Sequence, residues 1–205
     1  MKTETNTEQL ILEAAEVEFL EKGYKSATTT AIANKAGVTN AMLHYYFRKK
    51  ENLFQKVFQN KVHLAGDSRY QQLNDDLPFE ELIRQFIEYH FDFLRQNPKL
   101  LHFVYNEVIV NKDNRHFLLD QVRPKVLNVL NCVEKLLAAE VAKGTIRPIK
   151  VYDLLFNIVS LNAMSFMVLP IIEDLTSMQS PEYLDNLVNE RKESNVQFIL
   201  NALRV

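Results

Sequence analysis

The apolar residues of this chain recur three or four positions apart over almost its whole length, the spacing that places them on one face of a helix. Ile11, Ala15 and Phe19 show this spacing in the first predicted helix. Three of the four glycines follow segments of this kind, as expected at helix ends: Gly23, Gly37 and Gly144. No two alternating segments flank a tight turn, so no hairpin is indicated. The pattern predicts an all-α protein of about nine helices.

Capping residues and prolines divide the pattern into successive helices. Thr28 and Thr39 are suitable N-caps for the second and third helices, because a threonine hydroxyl accepts a hydrogen bond from a backbone N–H of the first turn. The pair Asn97-Pro98 should end the fifth helix. The eighth helix is predicted over residues 151–169, and Pro181 should begin the ninth.

The longest apolar run, residues 151–172, has the length of a membrane-spanning helix, which needs about 20 apolar residues. Asp153, Asn157 and Asn162 interrupt it, and Pro170 lies near its end. These residues favour a helix buried on several sides, as at a subunit interface, over a transmembrane segment. We therefore expect no membrane association.

Charge is distributed unevenly along the chain. From Lys22 to Lys61, eight basic residues are accompanied by one acid, Glu51, which gives this segment +7 and leaves −9 for the remainder. A basic segment on an acidic chain suits a polyanionic partner. The single cysteine, Cys132, excludes an internal disulfide, and the polar N-terminus lacks the apolar stretch of a secretory signal. A cytoplasmic protein is the expectation.

The segment from Thr28 to Lys50 predicts two short helices joined by a tight turn. Gly37 allows the positive φ that such a turn requires, and Ala33 is small enough for the two helices to approach closely. Leu43 and Phe47 are four positions apart and so share the buried face of the second helix. The polar residues beside them then face outward, as in a helix-turn-helix DNA-binding motif.

Taken in order, these residues resemble the TetR (tetracycline-repressor-like) family of bacterial transcription regulators over residues 9–58. The matching positions are Ile11-Leu12, Ala14-Ala15, Phe19, Gly23-Tyr24, Thr28-Thr29, Ile32-Ala33, Ala36-Gly37-Val38-Thr39, Leu43, Tyr46-Phe47, Lys50-Glu51 and Leu53. Ala41 and His44 depart from the pattern, since the family often has glycine and tyrosine there. The resemblance implies a DNA-binding domain over residues 1–52 and a helical regulatory domain over residues 53–205 that binds a ligand and forms a dimer.

The resemblance also implies which residues contact DNA: Thr28, Thr29, Thr30, Thr39, Asn40, Met42, His44, Tyr45, Tyr46 and Lys50. Hydroxyls and backbone N–H groups at a helix start suit phosphate oxygens, and Lys50 would add salt-dependent affinity. Asn40 would read adenine through two hydrogen bonds, and Met42 would contact a thymine methyl group. Thr28 and Thr39 would serve as caps in any helical protein, and either tyrosine could pack against the first helix instead.

The regulatory body is rich in aromatic residues with a few polar groups among them, as in an apolar ligand cavity. The candidate lining residues are Phe86, Tyr89, His90, Phe93, His102, Tyr105, Asn162 and Phe166. At helical spacing each aromatic residue is also an ordinary core residue, and His90 suits a hydrogen-bonded core histidine. His90, His102 and Asp92 lack the spacing of a metal site, and no catalytic constellation occurs. We expect no metal, no cofactor and no enzymatic activity.

These features together favour a cytoplasmic homodimeric repressor of bacterial transcription, paired through the eighth and ninth helices. It would leave a palindromic operator in double-stranded DNA when a small, largely apolar or aromatic ligand binds, although activation is also compatible with the sequence. An architectural or cell-division DNA-binding protein without an inducer is the alternative, and it predicts a filled body without a cavity. An enzyme built on the helical body is the third and most remote interpretation.

Overall fold

The structure, a computed structural model, describes residues 2–66, 77–175 and 180–205. Its regular elements in these ranges are α1 (Lys2–Ser26), α2 (Thr29–Ala36), α3 (Asn40–Phe47), α4 (Lys50–Gly66), α5 (Phe79–Gln96), α6 (Leu100–Val104) with the π-helix Tyr105–Ile109, α7 (Lys112–Lys143), α8 (Val151–Leu175) and α9 (Pro181–Leu203). The β-pairing within these ranges is a single bridge between Ile146 and Arg204. The all-α fold predicted from the apolar spacing is confirmed.

The capping residues form the short helices α2 and α3 as predicted. The Thr28 hydroxyl oxygen accepts a hydrogen bond from the Ala31 N–H at 3.1 Å, and the Thr39 hydroxyl accepts one from the Met42 N–H at 3.2 Å. Gly37 has a φ of 68° and closes α2. These local bonds satisfy backbone groups that a helix end leaves unpaired, so the sequence determines where both helices begin.

Two helix boundaries differ from the predicted ones. Gly23 adopts φ 73° and ψ 168°, so regular helix stops there as expected, but a further helical turn continues to Ser26. Helix α8 extends through Pro170 to Leu175 instead of stopping at residue 169. Proline inside a helix removes one backbone hydrogen bond, and this long apolar helix accommodates that loss.

The chain divides into two compact units, the first consisting of Met1–Asp67 with His102–Val122. Its core contains side chains that are fully buried: Ile11, Phe19, Ile32, Leu43 and Leu53. The Phe103 ring from α6 lies 5.8 Å from the Phe54 ring and 5.7 Å from the Phe58 ring of α4, measured between centroids. Such aromatic contacts fix His102–Val122 onto the N-terminal helices.

The second unit consists of Ser68–Leu101 with Arg123–Val205. Helices α5, α8 and α9 supply the buried residues of its core: Ile87, Leu154, Ile158, Ile199 and Leu203. Ion pairs between Arg84 and Glu193 (2.9 Å) and between Asp92 and Lys192 (3.0 Å) join α5 to α9 at the surface. The predicted division of the chain at residue 52 into DNA-binding and regulatory domains stays a prediction.

Helix α8 is long and apolar enough to cross a membrane by length and composition alone, with a mean hydropathy of 1.9 in its most apolar window. Within the second unit it buries one face, through Val151, Leu154, Ile158 and Asn162. Much of its remaining apolar surface is exposed, including Phe156 at 72%. Among the described residues of one chain, one face of α8 has a partner, so the expectation of a helix buried on several sides is not met within them.

Candidate nucleic-acid interface

Helices α2 and α3 present most of the predicted DNA-contacting side chains to solvent. The exposed residues are Thr28, Thr30, Thr39, Asn40, Met42, His44 and Tyr45, and the half-buried residues are Thr29, Tyr46 and Lys50. Leu43 is 0% exposed and Phe47 is 7% exposed, so these two residues anchor α3 and turn its opposite face outward. The α2–α3 pair therefore has the form of a helix-turn-helix whose second helix is free to enter a DNA groove.

The two tyrosines near the end of α3 have different environments. Tyr45 is 77% exposed, whereas Tyr46 is half-buried. Their rings meet edge to face with centroids 5.3 Å apart. The Tyr45 hydroxyl is thus presented on the surface of α3, where a phenol can donate a hydrogen bond to a phosphate oxygen.

Part of the positive charge of this region is compensated by acids that precede it in the sequence. Glu18 of α1 is buried, and its carboxylate lies 2.5 Å from the Lys22 ammonium and 3.5 Å from that of Lys35. Lys35 also lies 3.5 Å from Glu21. Both glutamates precede Lys22 in the sequence. The charge of +7 for residues 22–61 therefore overstates the positive charge near α2 and α3.

Four other cations of the same segment are exposed on the described surface: Lys25, Arg48, Lys49 and Lys56. Exposed lysines and arginines beside a helix-turn-helix attract the phosphate backbone irrespective of base sequence. The side chain of Lys61, the last basic residue of this segment, lies outside the described residues. The electrostatic part of the interface thus depends mainly on cations next to α2 and α3.

Lys50 forms hydrogen bonds to the junction between α1 and α2. Its ammonium donates to the Tyr24 carbonyl oxygen at 2.8 Å and to the Ala27 carbonyl oxygen at 2.9 Å, and it lies 4.5 Å from the centre of the Tyr24 ring. Burial raises the pKa of the Tyr24 phenol, and the charges of Glu51 and Glu107 raise it further. The ring next to the ammonium is therefore a neutral phenol, suited to a cation–π contact. The phosphate contact of Lys50 stays a prediction, and these bonds give the residue a structural role that the sequence did not indicate.

His44 closes the turn between α3 and α4. Its Nδ1 donates to the Arg48 carbonyl oxygen at 3.0 Å, because a carbonyl can only accept. Arg48 has a φ of 58° and a ψ of −53°, and the N–H of Lys49 bonds to the Phe47 carbonyl oxygen across it at 2.6 Å. These features define a γ-turn of the rare, strained form. With Nδ1 engaged, only Nε2 of His44 remains for the predicted phosphate contact.

The predicted ligand-lining residues are distributed over both units. His102 and Tyr105 belong to the first unit and are exposed, whereas the other six belong to the second. Within the second unit, the Asn162 amide donates to the Ile87 carbonyl oxygen at 3.0 Å and lies 3.1 Å from His90 Nδ1. Burial lowers the pKa of His90 to about 4. His90 is thus neutral near pH 7 and belongs to a buried hydrogen-bonded network.

A cavity of about 380 Å³, half open to solvent, lies between α5, α8 and α9 of the second unit. Its walls are mainly apolar, and they include Phe91, Phe166, Leu169 and Leu187. Arg191 lines the same cavity and donates from Nε to the Ser165 hydroxyl oxygen at 3.3 Å. Of the eight predicted lining residues, Phe166 lies on this cavity. Among the described residues, no group of three or more histidine, cysteine or acidic side chains is arranged to hold a metal ion.

These observations define a class of protein: a helix-turn-helix DNA-binding protein with a second, helical unit that contains an apolar cavity. Residues 11–57 match the family model of bacterial regulatory proteins of the tetR family, and this match spans α2, α3, most of α1 and the first eight residues of α4. The DNA-binding domain of this chain is therefore that of the TetR family of transcriptional regulators.

Individual relatives agree with this assignment. The uncharacterized HTH-type transcriptional regulator YhgD of Bacillus subtilis is 25% identical over 141 residues, which cover 68% of this chain and 72% of YhgD. The hemolysin II transcriptional regulator HlyIIR matches in structure with a TM-score of 0.67 and 23% identity, over 98% of this chain and 99% of HlyIIR. The regulator FadR of Bacillus subtilis, solved in complex with stearoyl-CoA, matches with a TM-score of 0.64 and 18% identity, over 96% and 99% of the two chains. At these identities the solved structures show the shared fold.

Proposed function

We propose that the protein is a cytoplasmic, homodimeric repressor that is released from a palindromic operator by an apolar ligand. The observation that carries this proposal is the combination of an exposed α3 in the first unit with an apolar cavity in the second. The alternative, an architectural DNA-binding protein without an inducer, predicts a filled body. A cavity of about 380 Å³ lies within the volume range of small-molecule sites and therefore supports the ligand-responsive function.

The exposed apolar faces of α8 and α9 support the dimer. They carry large side chains that a lone chain leaves in water: Tyr152, Phe156, Val159, Met164, Met167, Ile171, Leu175, Tyr183 and Phe198. An exposed apolar stripe of this kind marks an interaction surface. A second copy of the chain, related by a twofold axis, would bury the same residues from both sides.

A twofold dimer would present two α3 helices to DNA. In helix-turn-helix dimers the two recognition helices enter successive major grooves about 34–36 Å apart, and the operator is therefore palindromic. Asn40 and Met42 would read bases in each half-site, while Thr28, Thr29 and Tyr45 would contact phosphates. This arrangement agrees with the exposure of four of these five side chains and the partial burial of Thr29.

The lining of the cavity supports a ligand with an apolar body and an anionic group. Phe91, Phe166 and Leu187 offer apolar contacts, and Arg191 supplies a positive charge at the same cavity. A fatty acyl compound has these two properties. FadR, which was solved with stearoyl-CoA, has the same fold, although the shape and charge of this chain's own cavity carry the proposal.

Release requires the ligand to bind more tightly to the state of the dimer that does not fit DNA. Typical couplings of about 1–3 kcal/mol change operator affinity by about 5–150-fold. We propose that the ligand changes the spacing of the two α3 helices, so that both cannot occupy their grooves together.

The test begins with selection of duplexes that the purified protein binds from fragmented genomic DNA. Affinity for one selected duplex is then measured by fluorescence anisotropy as oleate or oleoyl-CoA is added, with ligand binding followed separately by calorimetry. The expected result is binding of the ligand with a weakening of at least about fivefold in DNA affinity. Ligand binding with unchanged DNA affinity would contradict ligand-responsive repression.

A further inference from the structure

The start of α2 is positioned by the six-residue junction Gly23–Thr28. The Gly23 carbonyl oxygen accepts a hydrogen bond from the Ala27 N–H at 3.2 Å, and Lys50 bonds to the carbonyl oxygens of Tyr24 and Ala27. Thr28 follows at once as the N-cap of α2. Any displacement of this junction therefore moves the helix start that the proposed function places against DNA phosphates.

The backbone N–H of Tyr24 has its partner far away in the sequence. Glu107, in the π-helix Tyr105–Ile109, accepts this N–H on Oε1 at 2.7 Å. Its other oxygen accepts from the Asn114 amide at 3.2 Å. Glu107 is only 6% exposed, so its carboxylate is a buried charge held by these hydrogen bonds.

Gly23 allows this approach in two ways. Its φ of 73° belongs to the left-handed region, which glycine adopts without the strain of a side chain. A Cβ atom at this position would lie 3.1 Å from Glu107 Oε1, closer than ordinary van der Waals contact. The junction is thus shaped to bring the Tyr24 N–H to a carboxylate.

The peptide groups on both sides of Tyr24 are therefore held by opposite charges. Glu107 binds the N–H of this residue, and Lys50 binds its carbonyl oxygen. Charge-assisted hydrogen bonds are stronger than neutral ones and define direction more sharply. Two such bonds on Tyr24 fix the orientation of the backbone just before α2.

We propose that Glu107 is a positioning residue for DNA binding, which orients the N-terminus of α2 through the Tyr24 N–H. This inference rests on the DNA-contacting role proposed for the start of α2. It assigns a part in DNA recognition to a residue that is buried and lies 50 positions beyond the end of the family match at residue 57.

Substitutions of Glu107 distinguish positioning from a plain charge effect. Removing a negative charge from a DNA-binding protein strengthens DNA binding through the overall field. Loss of positioning weakens it. Glu107→Leu removes both the charge and the acceptor. Glu107→Asp keeps the charge, but its side chain is one methylene shorter, so the carboxylate lies farther from the Tyr24 N–H. Glu107→Gln keeps an acceptor of the same length, and Asp120→Asn is the matched charge control on an exposed residue of α7.

DNA affinity is measured on a duplex selected by the wild-type protein, for each full-length variant that circular dichroism shows to be folded at the temperature of the measurement. We expect Glu107→Leu and Glu107→Asp to bind about tenfold more weakly or worse, and Glu107→Gln to stay within about threefold of wild type. Asp120→Asn should bind as well as wild type or better. Because Glu107→Asp conserves charge, it keeps the test decisive if Glu107→Leu fails to fold.

Hydrogen exchange of the Tyr24 amide supplies an independent readout, since this N–H should exchange faster in Glu107→Asp than in wild type. Equal or tighter DNA binding by Glu107→Asp, or an unchanged Tyr24 exchange rate, would overturn the inference. A wild-type protein that selects no DNA at all would instead overturn the proposed function, so the two failures are distinguishable.

Discussion

The ammonium nitrogen of Lys50 lies 2.8 Å from the carbonyl oxygen of Tyr24 and 4.5 Å from the centre of the Tyr24 ring. This contact joins the first turn of α4 to the end of α1, across the helix-turn-helix that lies between them. A lysine that the family resemblance marks as a phosphate contact thus also holds the junction that leads into α2.

Lys50→Ala should weaken binding to all DNA sequences by a similar factor, because the start of α2 and the local positive charge are affected together. It should also lower the free energy of unfolding by about 1–3 kcal/mol, since two carbonyl oxygens lose a charged donor. Lys49→Ala is the matched control, being exposed and adjacent, and its effect on stability should stay within about 0.5 kcal/mol. Urea unfolding and anisotropy measure the two quantities. Equal stability of both variants would refute the structural role of Lys50.

Asn40→Ala should change which DNA is preferred more than how tightly DNA is bound. A well-aligned bidentate contact with adenine contributes about 1–3 kcal/mol of discrimination at one base pair. Sequencing of duplexes selected from a random library should show relaxed preference at one position in each half-site. Asn34→Ala, at an exposed position on α2, should retain the wild-type preference. The assignment of Asn40 as a base reader fails if its variant selects the wild-type sequence just as sharply.

Phe156→Glu should convert the dimer into a monomer. Phe156 is 72% exposed within one chain, and a carboxylate there would be buried unpaired at the proposed twofold interface. Tyr105→Glu is a suitable control, because Tyr105 is 51% exposed in the first unit, outside α8 and α9. Sedimentation velocity gives the mass of each species. A dimeric Phe156→Glu variant would place the interface elsewhere.

Stability should fall as pH decreases from about 6.5 to about 4 because of His90. Burial lowers the pKa of this residue to about 4, so in this range the unfolded chain binds a proton that the folded chain does not. The loss amounts to about 3 kcal/mol over the whole range. His90→Gln keeps an acceptor near Asn162 but cannot titrate, so its free energy of unfolding should depend less on pH. Carboxylates that titrate in the same pH range are present in both proteins, so they contribute equally to the two stability profiles. Identical pH profiles would show that His90 is not the cause.

Features that depend on local spacing could be predicted from the sequence. The caps Thr28 and Thr39, the turn at Gly37 and the buried pair Leu43 and Phe47 all follow from neighbours within four residues. Because Leu43 and Phe47 define the buried face of α3, the sequence also predicts its exposed face correctly. Helix periods and capping residues carry this information directly, and the family resemblance of the same segment is confirmed by the family-model match over residues 11–57.

Contacts between distant segments could not be predicted. The bond from Tyr24 to Glu107 spans 83 residues, and the bond from Lys50 to Tyr24 spans 26. Phe166 was the one predicted lining residue found on the cavity, because helical spacing does not distinguish a core aromatic from a pocket aromatic. Such relationships depend on how helices pack, which periodicity alone leaves open.

The proposed function requires two copies of this chain to place their α3 helices in successive major grooves of one DNA duplex. Hydroxyl-radical footprinting of a selected operator, combined with the mass of the complex, tests it most directly. The expected result is a twofold-symmetric footprint, half-sites about 10 base pairs apart, and an even number of chains per operator. A single asymmetric footprint with one chain bound would contradict it.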